Sequence, residues 1–133
     1  MPQLTNKLKS ERGQTMTEFA LVLPILIVVV LAIAQFGVAF NNYVTLTDAA
    51  RAAARKGAVS REASDPQGSC QAAGYAAGAN LNNPGKDFIV TCASSWKSGS
   101  DVTVTATYPY NISLLGWVVK SGNLTSTMKE RVE

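Results

Sequence analysis

The chain has 133 residues, 47% of them hydrophobic and 16% charged, with a formal net charge of +3 and no histidine. That length is one domain's worth, and the slight positive charge makes no case for nucleic acid: aromatic residues do not interleave with the basic ones, and no RNA-binding or zinc-finger spacing occurs. A zinc site would need carboxylates in place of histidine, and no such cluster is visible. Nor is there a nucleophile motif or a framed carboxylate pair, so the chain reads as no enzyme, with no metal and no cofactor.

In chain order, residues 1–12 are polar and carry Lys7, Lys9, Glu11 and Arg12, whereas residues 19–47 carry no charge. The run FALVLPILIVVVLAIAQFGVAF, residues 19–40, is apolar except for Gln35 and, at about 22 residues, is long enough to cross a hydrocarbon core as a helix. A secretory signal core is shorter and ends at small residues, a reading that Ala32, Ala34 and Ala39 keep open. Pro24 should kink the helix or free a carbonyl, which a bilayer tolerates when a neighbouring helix or side chain supplies a donor. Gly37 and the alanines offer close-approach surfaces for a second helix. Two basic groups, Lys7/Lys9/Arg12 and Arg51/Arg55/Lys56/Arg61, flank the run as anionic head groups would favour. Because the two groups are nearly equal in number, the positive-inside rule selects neither orientation. The N-terminus is placed in the cytoplasm because the leading segment is short and the part able to form a disulfide follows the span.

Nothing stops the helix at the membrane edge. NNYVTLTDAARAAARKGAV continues it, with Phe36, Phe40, Tyr43, Leu46/Thr47, Ala50 and Ala54 near one face. Asp48 is spaced to pair with Arg51, Arg55 and Lys56 complement the dipole late in the helix, and Gly57 is a C-terminal cap by position. A helix from about residue 17 to 56 would be roughly 60 Å long.

About 75 residues remain for a soluble core, close to the size where burial alone is marginal. Ser64-Asp65-Pro66 reads as a helix start, residues 67–82 as a short helix weakened by Gly74 and Gly78, and Asn83-Pro84-Gly85 as its end. Residues 88–92 alternate as a strand with Phe88, Val90 and Cys92 on one side. Residues 101–108 do so more clearly, with Val102, Val104, Ala106 and Tyr108 opposite Thr103, Thr105 and Thr107. Lys97-Ser98-Gly99-Ser100 supplies the turn, and a weaker last strand is expected around residues 124–132. Outside the cytoplasm Cys70 and Cys92 would form a disulfide closing a loop of about 20 residues, worth roughly 3 kcal/mol; the other reading is two unrelated buried thiols. The fold class is α+β: a long N-terminal transmembrane helix, a short helix, and a small antiparallel sheet on the long helix's outer half.

The most specific text is Arg12-Gly13-Gln14-Thr15-Met16-Thr17-Glu18-Phe19, directly against the apolar run. Glu18 sits at the hydrocarbon edge, where an unpaired carboxylate is costly; it could also serve as an acid favouring a helix N-terminus. A basic leader, a Gly, four residues, then Glu and an aromatic opening an apolar helix resemble a type IV prepilin processing site. The longer text, RGQTMTEFALVLPILI with Pro24, then QFG and TLTDAARAAAR, resembles the TadE-like pilins of the tight-adherence (Tad) apparatus over about residues 11–58. Ala53-Ala54 before Arg55, where the family often has Gly, is a mild departure.

The resemblance implies a pilin-like protein. A prepilin peptidase would cut after Gly13, leaving Gln14 as the new N-terminus, and the chain would divide into a leader (1–13), a long helix (14–58) and a small extracytoplasmic domain (59–133). Glu18 would pair with a neighbouring subunit's N-terminus, with Phe19 and Pro24 in the same assembly segment. Many pilins begin with a methylated Phe, from which Gln14 departs. The implied partners are the peptidase, other pilin-like subunits, the Tad machinery and the bacterial inner membrane. The implied role is a minor pilin or pseudopilin in building Tad/Flp pili for surface adhesion. Two other readings stand beside it: an uncleaved single-pass anchor presenting a binding module, and a small secreted domain released near Ala34 or Ala39.

Overall fold

A computed structural model describes residues 13–133 with their side chains and the backbone of residues 4–12. The side chains of Lys7, Lys9, Glu11 and Arg12, which carry the leader's charge, lie outside the described residues. Five elements follow in order: α1 (Leu4–Ala58), α2 (Pro66–Ala77), β1 (Ile89–Ala93), β2 (Asp101–Leu114) and β3 (Trp117–Arg131). The strands form one antiparallel sheet in the order β1-β2-β3. The α+β class, the long apolar first helix and the short second helix are as the sequence predicts.

Helix α1 begins earlier than the expected position near residue 17 and passes unbroken through Gly13 and through Pro24. Its outer half carries the domain. Leu46, Ala49, Ala50, Ala53 and Ala54 are buried against Phe88, Val90, Val102, Val104, Ala106 and Val132. Alanines on this stripe let the sheet approach the helix closely, so the core is dense but made of light side chains.

The face predicted for α1 is buried from Leu46 onward and open before it. Phe36, Phe40 and Tyr43 are exposed, and the half-buried positions are Ala32, Gln35, Ala39 and Asn42. These continue into Leu46, Ala49 and Ala53 at alternating spacings of three and four, the inward seam of a helix packed along its length. Reading by hydrophobicity selects the aromatics; close packing selects the small residues beside them.

Gly57 is a second correction. It has no positive φ, so it is not a left-handed cap. It lies buried inside α1, where an added Cβ would stand 3.0 Å from Val102 Cγ2 and 3.2 Å from Cys70 Sγ. The helix end is closed instead by Ser60, whose N–H donates to Gly57 O at 3.2 Å and whose hydroxyl donates to Lys56 O. The Glu133 N–H donates to Ala58 O at 3.1 Å. These bonds satisfy carbonyls that any helix C-terminus leaves open.

Asp65 caps α2 by accepting from the Gly68 N–H at 2.9 Å, with Pro66 in the first turn, as the sequence suggests. The helix stops at Ala77, short of the expected residue 82. Gly78 follows it and lies where an added Cβ would be 2.4 Å from Phe88 Cε1. Tyr75 meets Phe88 edge-on with ring centroids 5.4 Å apart, and its hydroxyl accepts from the Val90 N–H at 3.3 Å, capping part of β1's open edge. Cys70 on α2 and Cys92 on β1 are joined by a disulfide across a Cα–Cα distance of 6.4 Å, which decides between a bridge and two separate thiols.

Candidate functional site

Two regions stand out, one foreseen and one not. The foreseen region is residues 13–24. Between Gly13 and Leu31 every side chain is exposed, so this length of α1 extends beyond the cover of its own domain. A stretch that is apolar from Phe19 onward and has no intramolecular partner must be covered by lipid or by other chains. It is the one helix among the described residues long and apolar enough to cross a membrane.

Around Gly13 the local bonds run along the helix. Thr17 Oγ1 donates to the Gly13 carbonyl at 2.9 Å, and Gln14 Nε2 donates to Glu18 Oε1 at 3.1 Å. The second pair places Gln14 and Glu18 on one face, one turn apart. An added Cβ at Gly13 would meet nothing within 4 Å, so glycine there answers no packing demand of this chain. Phe19 and Pro24 are exposed and lie further along α1, where Pro24 offers no N–H to the carbonyl one turn earlier, at Ala20. Gly13, Gln14 and Glu18 therefore sit together within two turns, and none of these positions reaches the sheet.

Among the basic residues on the C-terminal side of the apolar run, Arg51 pairs with Asp48 at 3.5 Å as the spacing predicts, with both side chains largely exposed. Such a pair contributes little to stability. Arg55 and Lys56 are exposed in the last turns of α1. Among the described residues no group of three or more metal-ligating side chains is present.

The unforeseen region is a ribbon. The sequence predicts β2 and β3 over residues 101–108 and 124–132; they reach Leu114 and start at Trp117. β1 pairs only with residues 103–107, so beyond them β2 has β3 as its sole neighbour. This two-stranded arm runs back along α1 toward the apolar run. Ala32, Phe36 and Phe40 of α1 face Tyr110, Ile112 and Leu114 of the arm across an apolar groove of about 630 Å³. A signal is present in the alternation of Tyr108, Tyr110, Ile112 and Leu114, but Pro109 within it reads as a strand end. Pro109 is tolerated because it lies beyond β1, on an edge.

Compared with known proteins, residues 13–55 match the family model described as TadE-like protein. No curated protein and no solved structure matches the chain. The matched residues are α1 alone, from Gly13 to just short of its C-terminal end; the sheet domain lies outside the match.

Proposed function

Taking as premise that residues 13–55 are TadE-like, we infer that this chain is a minor pilin or pseudopilin. In this reading it is held in the bacterial inner membrane by α1, matured by a prepilin peptidase that cuts after Gly13, and assembled with other pilin-like subunits of a Tad apparatus that builds pili for surface adhesion. A Tad pilin-like, membrane-anchored protein is what the family match and the apolar helix fit together. The observation that carries the finer reading is the grouping of Gly13, Gln14 and Glu18 at the inner end of a bare apolar helix.

Each residue has a physical task in it. The bond to be cut lies in a helix, so a protease must first open a turn; Gly13 lowers that cost by about 1 kcal/mol relative to Ala, and leaves the backbone unobstructed. Cleavage removes Lys7, Lys9, Glu11 and Arg12 and creates an α-ammonium on Gln14. Glu18, mid-helix before the cut, is then in the first turns of the shortened helix, where a carboxylate complements the dipole. On assembly, a neighbouring subunit's N-terminal ammonium would partner Glu18 at the apolar boundary, where a lone carboxylate is expensive. Pro24 leaves the Ala20 carbonyl for a neighbouring helix to satisfy.

The test is Gly13→Ala in the native host. The open space at Gly13 means the variant folds, and it should accumulate as the longer precursor. Equal gel mobility of mature wild type and variant would remove Gly13 from the mechanism.

A further inference from the structure

The free arm of β2 and β3 ends in a two-residue turn in which Leu115 and Gly116 both take positive φ (52° and 86°). This is the mirror-image turn that suits a twisted ribbon. The turn projects apolar side chains that the chain does not cover: Leu115 is 72% exposed, Trp117 82%, Val118 64% and Val119 62%. No acidic residue lies between Asp101 and Glu130. The arm's position is fixed by α1, since Ala32, one wall of the groove, is eight residues inside the outer end of the run that ends at Phe40. At 1.5 Å per residue that is about 12 Å. Whenever residues 19–40 cross a membrane, the tip must meet the same bilayer.

We propose that the β2–β3 tip is a second membrane contact, seated in the interfacial layer of the leaflet on the side of the C-terminal domain. Trp117 sits at head-group level, as amphipathic aromatic rings do. Leu115 and Val118 lie among the first acyl carbons, and Lys120, higher on the arm, extends its charge toward the phosphates. The open edges of a two-stranded ribbon cannot lie in dry hydrocarbon, so the bilayer thins beside the arm until head groups and water reach the unpaired backbone at the tip. The proposal rests on the membrane-spanning reading of α1 and is independent of cleavage after Gly13.

The test uses the full chain in vesicles of phosphatidylcholine and phosphatidylglycerol. The sequence has two tryptophans, so Trp96→Phe leaves Trp117 as the reporter. Subtracting the Trp117→Phe signal from that of the unaltered chain gives the same information without altering Trp96, which packs against the core. Trp117 emission should be blue-shifted, and should lose more intensity with lipid brominated near the head group than with lipid brominated near the chain end. Water-like, unquenched emission from a chain that stays in the vesicle pellet through alkaline carbonate would overturn the tip contact and leave the span intact. Protection from brominated lipid that appears only as the protein-to-lipid ratio rises would assign the tip to a second subunit and likewise overturn the proposal. Release by carbonate would remove the span, and the tip contact with it.

Discussion

Glycine does unlike work at three positions in this chain, and only contacts separate the cases. At Gly13 an added methyl group meets open space, whereas at Gly78 it would stand 2.4 Å from Phe88 Cε1, and at Gly57 it would press on Val102 and the disulfide. Gly78→Ala should therefore force Phe88 from its place under α1 and cost about 1–3 kcal/mol, read as a lowered thermal midpoint of the detergent-solubilised chain. An unchanged midpoint would mean the core yields at that point. Glu18 is the other residue whose role is separable. Glu18→Ala removes only an exposed acceptor for Gln14, so the fold should be unaffected and cleavage should proceed. Pilus assembly should drop sharply by counts of surface filaments, and normal piliation would take Glu18 out of the assembly step.

At the scale of elements, what can be read in advance follows from how local each signal is. The alternation of Val102, Val104 and Ala106 against threonines, the Asp65-Pro66 start of α2 and the uncharged length of α1 are each written in consecutive residues, and each is where the sequence predicts it. The half-buried seam of α1 before Leu46 is not legible in this way, because Phe36 and Phe40 are more apolar than Ala32 and Ala39. Beside the β2–β3 arm the small residues are the more covered ones, while the aromatics line an open groove. The arm itself is hidden because Pro109 and Gly122 interrupt its text. Gly122 lies opposite Tyr110, whose ring covers it at 3.1 Å from where a Cβ would be. Of the foreseen site, the spacing of Gly13 and Glu18 is legible, since both lie on one helix. The groove is not, because it joins residues far apart in the chain. The bridge between α2 and β1 closes a separation of 22 residues. Replacing Cys70 and Cys92 together with Ala should cost about 3 kcal/mol by the loop-entropy estimate. Chemical denaturation in detergent, oxidised against reduced, should show the same loss, and coincident curves would make the bridge incidental.

For the whole molecule, the division of labour runs along one helix. Its N-terminal half is bare and its C-terminal half is the keel of a small disulfide-bridged sheet domain; the TadE-like match runs through both halves and leaves the sheet uncovered. The two halves overlap where the arm lies beside residues 32–43, so the domain is seated against the span and not tethered at a distance from it. Such a shape suits a subunit that waits in a membrane and later packs its helix among others. The proposed maturation depends on the leader being removed, because cleavage would both create the ammonium on Gln14 and give Glu18 its place near a helix start. The direct measurement is the intact mass and N-terminal sequence of the chain isolated from its native membrane. A pilin-like subunit should be found as a mature chain beginning at Gln14, lacking residues 1–13; a membrane-bound chain that still begins at Met1 would contradict that role.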